Sequence, residues 1–224
     1  MKSAVLFSGG KDSCLALHKA IKNKLKIVVL LSIIPDSIDS MMFHTPDLIL
    51  LEKQAEMLGI ALMTRKTRAR NESEELEDMR ELLADAKKKY KFDTIVTGGI
   101  ASSYQGTRIN SLANELGLEV FAPLWKYTSE QLWQELLDDG FEVVITKIAC
   151  EGIPKDFIGR IITREEFEKL RKLSEKYKFR LDFEGGEAET AVLFMPEFDK
   201  HIKIVFDISS EGSYRHFLKL KEAR

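Results

Sequence analysis

Cysteine is scarce in this chain: two in 224 residues, Cys14 and Cys150. They form no C-x-x-C, no metal-ligand spacing and no disulfide framework, so the reducing cytoplasm is the expected compartment. Neither sign of charge prevails, with 34 Lys+Arg against 36 Asp+Glu, which removes the global basic field of a nucleic-acid binder. Long apolar runs are missing too. The longest, Ile27 to Ile34, is interrupted by Ser32 and is too short to span a bilayer, and the first residues read as a strand, so no secretory leader is expected. The four histidines (His18, His44, His201, His216) are scattered without ligand or triad spacing. Neither G-x-x-x-x-G-K-[ST] nor G-x-G-x-x-G occurs, which excludes the two commonest phosphate-binding loops.

What is present begins at once. Ser3-Ala4-Val5-Leu6-Phe7 reads as a strand, Ser8-Gly9-Gly10-Lys11-Asp12-Ser13 as a tight loop, and Cys14, Leu17, Ile21 and Leu25 as the apolar face of a helix. A strand-to-helix turn gathers unpaired N–H groups and the positive end of a helix dipole at one point, which suits an anion. Two glycines let backbone approach a phosphate with no Cβ in the way. The plainer reading is a Gly-Gly turn with solvated polar neighbours, and Asp12 is open between contact with Mg²⁺ and capping of the helix.

Further along, strands alternate with helices. Lys26 to Ile34 reads as a strand covered on both faces, Ile60 to Thr64, Thr94 to Thr97 and Leu118 to Phe121 as three more. Between them Thr45-Pro46 is expected to start a helix ending at Gly59, Asn71 with Glu74 to start a second, and Gly117 to close a third. This spacing predicts an α/β fold built from βαβ units around one parallel sheet. Ligands of such sheets bind beyond the carboxyl ends of the strands. Ser32 to Ile34 could offer backbone groups to an adenine edge, and Gly98-Gly99-Ile100 could admit a ribose or base; an ordinary strand-end turn is the competing reading. Ile38 to His44, with Met41, Met42 and Phe43, reads as a mobile lid or as a hydrophobic staple, and Arg65, Lys66, Arg68 and Arg70 as a basic segment that could touch phosphates or an acidic partner surface, a solvated loop being weighed above that.

After about residue 125 the alternation stops. Thr128 with Gln131 and Thr163 with Glu166 start helices, Glu142 to Ala149 reads as a strand, and Phe179-Leu181-Phe183 alternate with charged residues. Two strand-like runs follow, Ala191 to Phe194 and His201 to Phe206. The division expected is a nucleotide-binding domain over 1–126 and a smaller α+β lobe over 127–224. Glu184-Gly185-Gly186-Glu187-Ala188-Glu189-Thr190 is the second stretch with chemical promise: three carboxylates around a glycine turn suit a cation, an ammonium group or ATP-bound Mg²⁺, or are simply surface acids on a turn.

S-G-G-K-D-S resembles the PP-loop of the ATP pyrophosphatases, which split ATP between the α- and β-phosphates. Together with Ser103-Tyr104-Gln105, Arg108, Pro123-Leu124-Trp125, Lys147-Ile148-Ala149, Gly152 and the Glu184–Thr190 loop, it resembles the diphthine–ammonia ligase family and its archaeal ATP-binding relatives over almost the whole chain. The position between the loop's last two glutamates is often aromatic in that family and is Ala188 here. The resemblance implies a Rossmann-like sheet of the HUP (adenine nucleotide alpha hydrolase-like) type. It implies adenylation of the carboxylate of diphthine on translation elongation factor two and displacement of AMP by ammonia. Ser8, Gly9, Gly10, Lys11, Asp12 and Ser13 would hold ATP, with Ser32, Gly98 and Gly99 nearby and Mg²⁺ on Asp12. Tyr104, Arg108, Glu184, Gly185, Gly186, Glu187, Glu189 and Thr190 would serve the acceptor, with Lys11, Asp12 and Glu187 as the catalytic candidates. Because diphthine carries a trimethylammonium group, Glu187, Tyr104 and Trp125 are expected to form or flank its pocket, burial in the core being weighed above that for Trp125. No membrane or nucleic-acid partner is expected, and homodimer formation is open. Two other functions stay open: a tRNA-modifying PP-loop enzyme, and a non-catalytic ATP- or AMP-binding protein.

Overall fold

The structure, a computed structural model, describes residues 1–35, 47–67, 72–99 and 103–224, with the side chains at 35, 72 and 103–106 set aside. The chain divides into two compact units: residues 1–8 with 12–126, and residues 9–11 with 127–224.

The first unit is a parallel sheet of five strands in the order β3-β2-β1-β4-β5. These are β1 (Lys2–Leu6), β2 (Lys26–Pro35), β3 (Leu62–Thr67), β4 (Thr94–Val96) and β5 (Glu119–Phe121). The helices are α1 (Lys11–Lys22), α2 (Leu48–Leu58), α3 (Glu72–Tyr90) and α4 (Ser103–Glu115). The expected Rossmann-like α/β architecture is what forms. Alternate residues of β2, Val29, Leu31 and Ile33, face one way and meet Met79, Leu82, Leu83 and Ala86 of α3, which recur at helical spacing. Leu30, on the opposite face, is also fully buried, so a strand covered on both sides explains the unbroken apolar run.

Several boundaries differ from expectation. The first residue of α2 is Leu48, and the N-cap is Asp47, whose carboxylate accepts from Ile49 N and Leu50 N; Thr45, Pro46 and Asn71 lie outside the described residues. Gly59 closes α2 in the left-handed conformation, as expected. Strand β3 runs on to Thr67 because Arg65 is held by Asp78 at 3.7 Å, by Asp85 at 3.4 Å and by Glu81 of α3. Arg65 and Lys66 thus belong to a strand, not to a solvated loop, while Arg68, Arg70, the Ile38–His44 stretch and Ile100 lie outside the described residues.

The second unit is an antiparallel sheet, β7-β6-β9-β8, with α5 (Ser129–Asp138), α6 (Arg164–Tyr177) and one 3₁₀ turn, Lys155–Phe157. Its strands are β6 (Glu142–Ala149), β7 (Ala188–Phe194), β8 (Ile204–Glu211) and β9 (Arg215–Ala223). Thr128 and Gln131 form the reciprocal capping box expected of them. Trp133 is fully buried; it stacks on Phe167 at 5.5 Å, meets the edge of Phe183 at 6.1 Å and donates from Nε1 to Leu181 O at 2.8 Å. Phe179–Phe183 is not a strand: Leu181 and Asp182 form a turn, and Phe183 has a φ of +63°, so its three apolar side chains act as anchors of an irregular segment. The strand expected over His201–Phe206 begins at Ile204, and β9 was not expected at all.

Candidate nucleotide and acceptor site

β1 sits between β2 and β4, and the chain leaves it in one direction toward β2 and returns on its other side through β4. In such sheets a reversal of this kind marks the usual ligand position, beyond the carboxyl ends of the strands, here β1 and β4. The Ser8–Ser13 loop issues from one of these ends and Gly98 from the other.

Within the first unit, Ser8 N donates to Ser13 Oγ at 3.2 Å, and the two hydroxyls lie 3.1 Å apart. These bonds close the loop on itself. Asp12 occupies the first turn of α1, where a carboxylate is favoured by the helix dipole. A Cβ on Gly98 would lie 2.7 Å from the backbone carbon of Asp12 and 2.8 Å from Ser13 N, so the end of β4 abuts the first turn of α1 as no other residue would allow. Gly99 N donates to Thr97 Oγ1 at 3.4 Å. Ser32 is buried on β2, one residue beyond the point where β1 pairing ends at Leu6 and Leu31, while pairing with β3 continues to Pro35.

Residues 9–11 belong to the second unit, and their contacts show why. Val192 N of β7 donates to Gly9 O at 3.0 Å. Lys11 N donates to Thr190 Oγ1 at 3.2 Å, and Lys11 Nζ donates to Asp182 O at 2.6 Å while lying 5.5 Å from the centre of the Phe183 ring. Gly9 has a φ of +73°, the left-handed conformation that glycine adopts without strain.

The glycine loop turns two of its carboxylates inward. Glu187 accepts from Gly185 N at 2.9 Å and Arg180 N at 3.1 Å, and a Cβ on Gly185 would come within 2.6 Å of Glu187 Oε1. Glu189 faces Lys147 on the neighbouring strand β6, with Nζ and Oε1 2.8 Å apart. Glu184 is exposed. Among the described residues no three His, Cys, Asp or Glu converge to hold a metal ion.

Asp182 did not stand out in the sequence. It is buried, and burial alone would raise its pKa; bonds from Arg180 Nε and Nη2 at 2.9 Å, from Glu184 N at 3.0 Å and from Ser129 Oγ at 3.0 Å outweigh that and hold the carboxyl below the usual range. A charged residue set between the apolar anchors Leu181 and Phe183 was the available signal.

Other candidates fall into place singly. Arg108 is half-buried on α4, and the Tyr104 side chain lies outside the described residues. Trp125 is 42% exposed and is not part of the core. Cys14 is fully buried, and Cys150 is pushed up to about 11 by burial and then by the negative charge of Glu187, away from the thiolate that sulfur chemistry requires. No helix among the described residues is long and apolar enough to cross a membrane.

Comparison with known proteins decides the lineage. Residues 1–120 match the family model for the diphthamide synthase N-terminal domain, and residues 128–223 match that for its C-terminal domain. The chain belongs to the diphthamide synthase family. Similar family members are the diphthine–ammonia ligases of Rattus norvegicus and Homo sapiens, each 34% identical over 227 residues that cover 93% of this chain and 84% of the relative. The diphthine–ammonia ligase of Saccharomyces cerevisiae is 30% identical over 256 residues, covering 99% of this chain and 37% of that longer protein. A solved structure described as a predicted subunit of tRNA methyltransferase from Methanocaldococcus jannaschii is 18% identical, with a TM-score of 0.46 over 88% of this chain and 98% of that one, too distant to bear on activity.

Proposed function

We propose that this chain is an ATP-dependent diphthine–ammonia ligase, which amidates the diphthine side chain of translation elongation factor two to give diphthamide. The observation that carries the reading is the loop of residues 8–13, closed on itself by Ser8 and Ser13 at the start of α1, in a chain matched by both domains of the family.

A carboxylate and ammonia do not condense unaided in water, so the carboxylate must first gain a leaving group. Its oxygen attacks the α-phosphorus of ATP, the bond to the β-phosphate oxygen breaks, and pyrophosphate departs. The lone pair of ammonia then attacks the acyl carbon, the bond to AMP breaks, and a proton is released as the amide forms. Negative charge grows on the departing pyrophosphate, and preorganised donors at the helix terminus and an ammonium group oppose it. In this reading Ser8, Gly9, Gly10, Asp12 and Ser13 surround the phosphates, and Lys11 supplies the ammonium. Ser32, Gly98 and Gly99 lie toward the nucleoside.

Magnesium would enter on the nucleotide. Asp12, the carboxylate of the loop, would hold it, since magnesium needs only one or two protein carboxylates. When bound it supplies further neutralisation of the leaving group. Residues 1–126 serve ATP and residues 127–224 the acceptor, with Arg108, Tyr104 and the Glu184–Thr190 loop as acceptor contacts. Glu187, whose carboxylate accepts from two backbone N–H groups, is the acid assigned that role in this reading. The enzyme acts in the cytoplasm, where its protein substrate and ammonium are found.

The test is to incubate the chain with ATP, Mg²⁺, ammonium and diphthine-bearing elongation factor, and to follow AMP, pyrophosphate and the mass of the modified peptide. Stoichiometric AMP and diphthamide are expected. Release that requires tRNA, or ATP binding with no release under any condition, would replace this reading with one of the other two.

A further inference from the structure

Lys11 is held at both ends by one short segment of the second unit. Its side chain, only 2% exposed, donates to Asp182 O and lies by the Phe183 ring; its backbone N–H donates to Thr190 Oγ1. The first N–H groups of a helix have no partner within it, and here a threonine hydroxyl from eight positions beyond Asp182 serves one of them. The turn that presents Asp182 O is itself fixed, since the Asp182 carboxylate receives Arg180, Ser129 and Glu184 N. An ammonium carries three donors, so anchoring one on a fixed carbonyl sets the directions of the others.

We propose that Thr190 and Asp182 are positioning residues for Lys11, the first through its backbone and the second through its ammonium, and that they set the geometry with which Lys11 meets the ATP phosphates. Thr190 then serves the nucleotide as well as closing the loop assigned to the acceptor. The inference rests on reading Lys11 as a phosphate-binding group. It adds a physical reason for Thr190 to end the acidic glycine loop: the stretch around the acceptor and the stretch holding Lys11 are one.

The experiment measures equilibrium ATP affinity and thermal midpoint for the full chain and three variants. Thr190→Val keeps the shape and removes the acceptor; it is expected to weaken ATP binding about tenfold with little change in midpoint. Thr190→Ser keeps the hydroxyl and is expected to restore affinity to within about twofold. Lys147→Met breaks the neighbouring pair with Glu189 without touching Lys11 and is expected to leave ATP affinity unchanged. Wild-type affinity in Thr190→Val, equal loss in Thr190→Ser, or equal loss in Lys147→Met each overturns the proposal, as does a wild-type chain that binds no ATP. Loss in Thr190→Val with rescue by serine, in a chain that never amidates diphthine, upholds the positioning role and removes the ligase reading alone.

Discussion

A single methyl group at Gly98 measures how closely the end of β4 approaches the Ser8–Ser13 loop. The added Cβ of Gly98→Ala would sit 2.7–2.8 Å from backbone atoms of Asp12 and Ser13, which cannot swing aside as a flexible side chain can. Overpacking of this kind is expected to cost about 1–3 kcal/mol in urea unfolding, and ATP affinity should fall with it. Asp182 makes a different prediction. Its pKa is depressed in the folded state, so its contribution is fully present above the ordinary value of 3.8 and is lost as pH falls through the lower folded value. Urea stability of the native chain should therefore decline below about pH 3.8, and Asp182→Asn should flatten that limb. Of these residues Gly98 was legible from its place at a strand end. Asp182 was not, because a buried carboxylate is recognisable only once its partners are, and Ser129 lies 53 positions away.

At the level of elements, local chemistry was the reliable guide. The Thr128–Gln131 box satisfies two donors at the start of α5, and Thr128→Ala is expected to cost about 1 kcal/mol, read by chemical denaturation. Signals of that kind lie within a few residues of the element they define. β2 and the apolar stripe of α3 were readable for the same reason. What failed were endings set by distant partners. β3 outruns its apolar stretch because Arg65 finds three carboxylates on α3, and β9 escaped notice because it exists by pairing with β6 and β8. Its turn, Gly212-Ser213-Tyr214 between the paired Glu211 and Arg215, carried a glycine signal, Gly212 having a φ of +67°. The Phe179–Phe183 stretch misled in the opposite sense. Its alternation is that of a strand, but the left-handed Phe183 and the charge network at Asp182 make it a turn.

Taken as a whole molecule, the chain assigns its residues 9–11 to the unit formed by residues 127–224. A chain ending at residue 126 retains every member of the Ala4–Leu118 core cluster, yet lacks Thr190, Asp182 and Val192. It is expected to fold while binding ATP more weakly than the full chain, which calorimetry of the two side by side would measure. Within the second unit, Gly9 and Lys11 are held by Thr190, the last residue of the acidic glycine loop, and by Asp182 and Val192 on either side of it.

Those contacts also have a chronology. Lys11 leaves the ribosome well ahead of the groups that hold it, which follow 171 and 179 positions later. At about 5–20 residues per second, the loop waits roughly 10–35 seconds for the carbonyl and hydroxyl that fix it. Throughout that interval the nascent chain carries Lys11 without the carbonyl and hydroxyl that hold it. Nascent chains stalled before residue 182 has emerged should fail to retain ATP that chains stalled well past residue 192 capture.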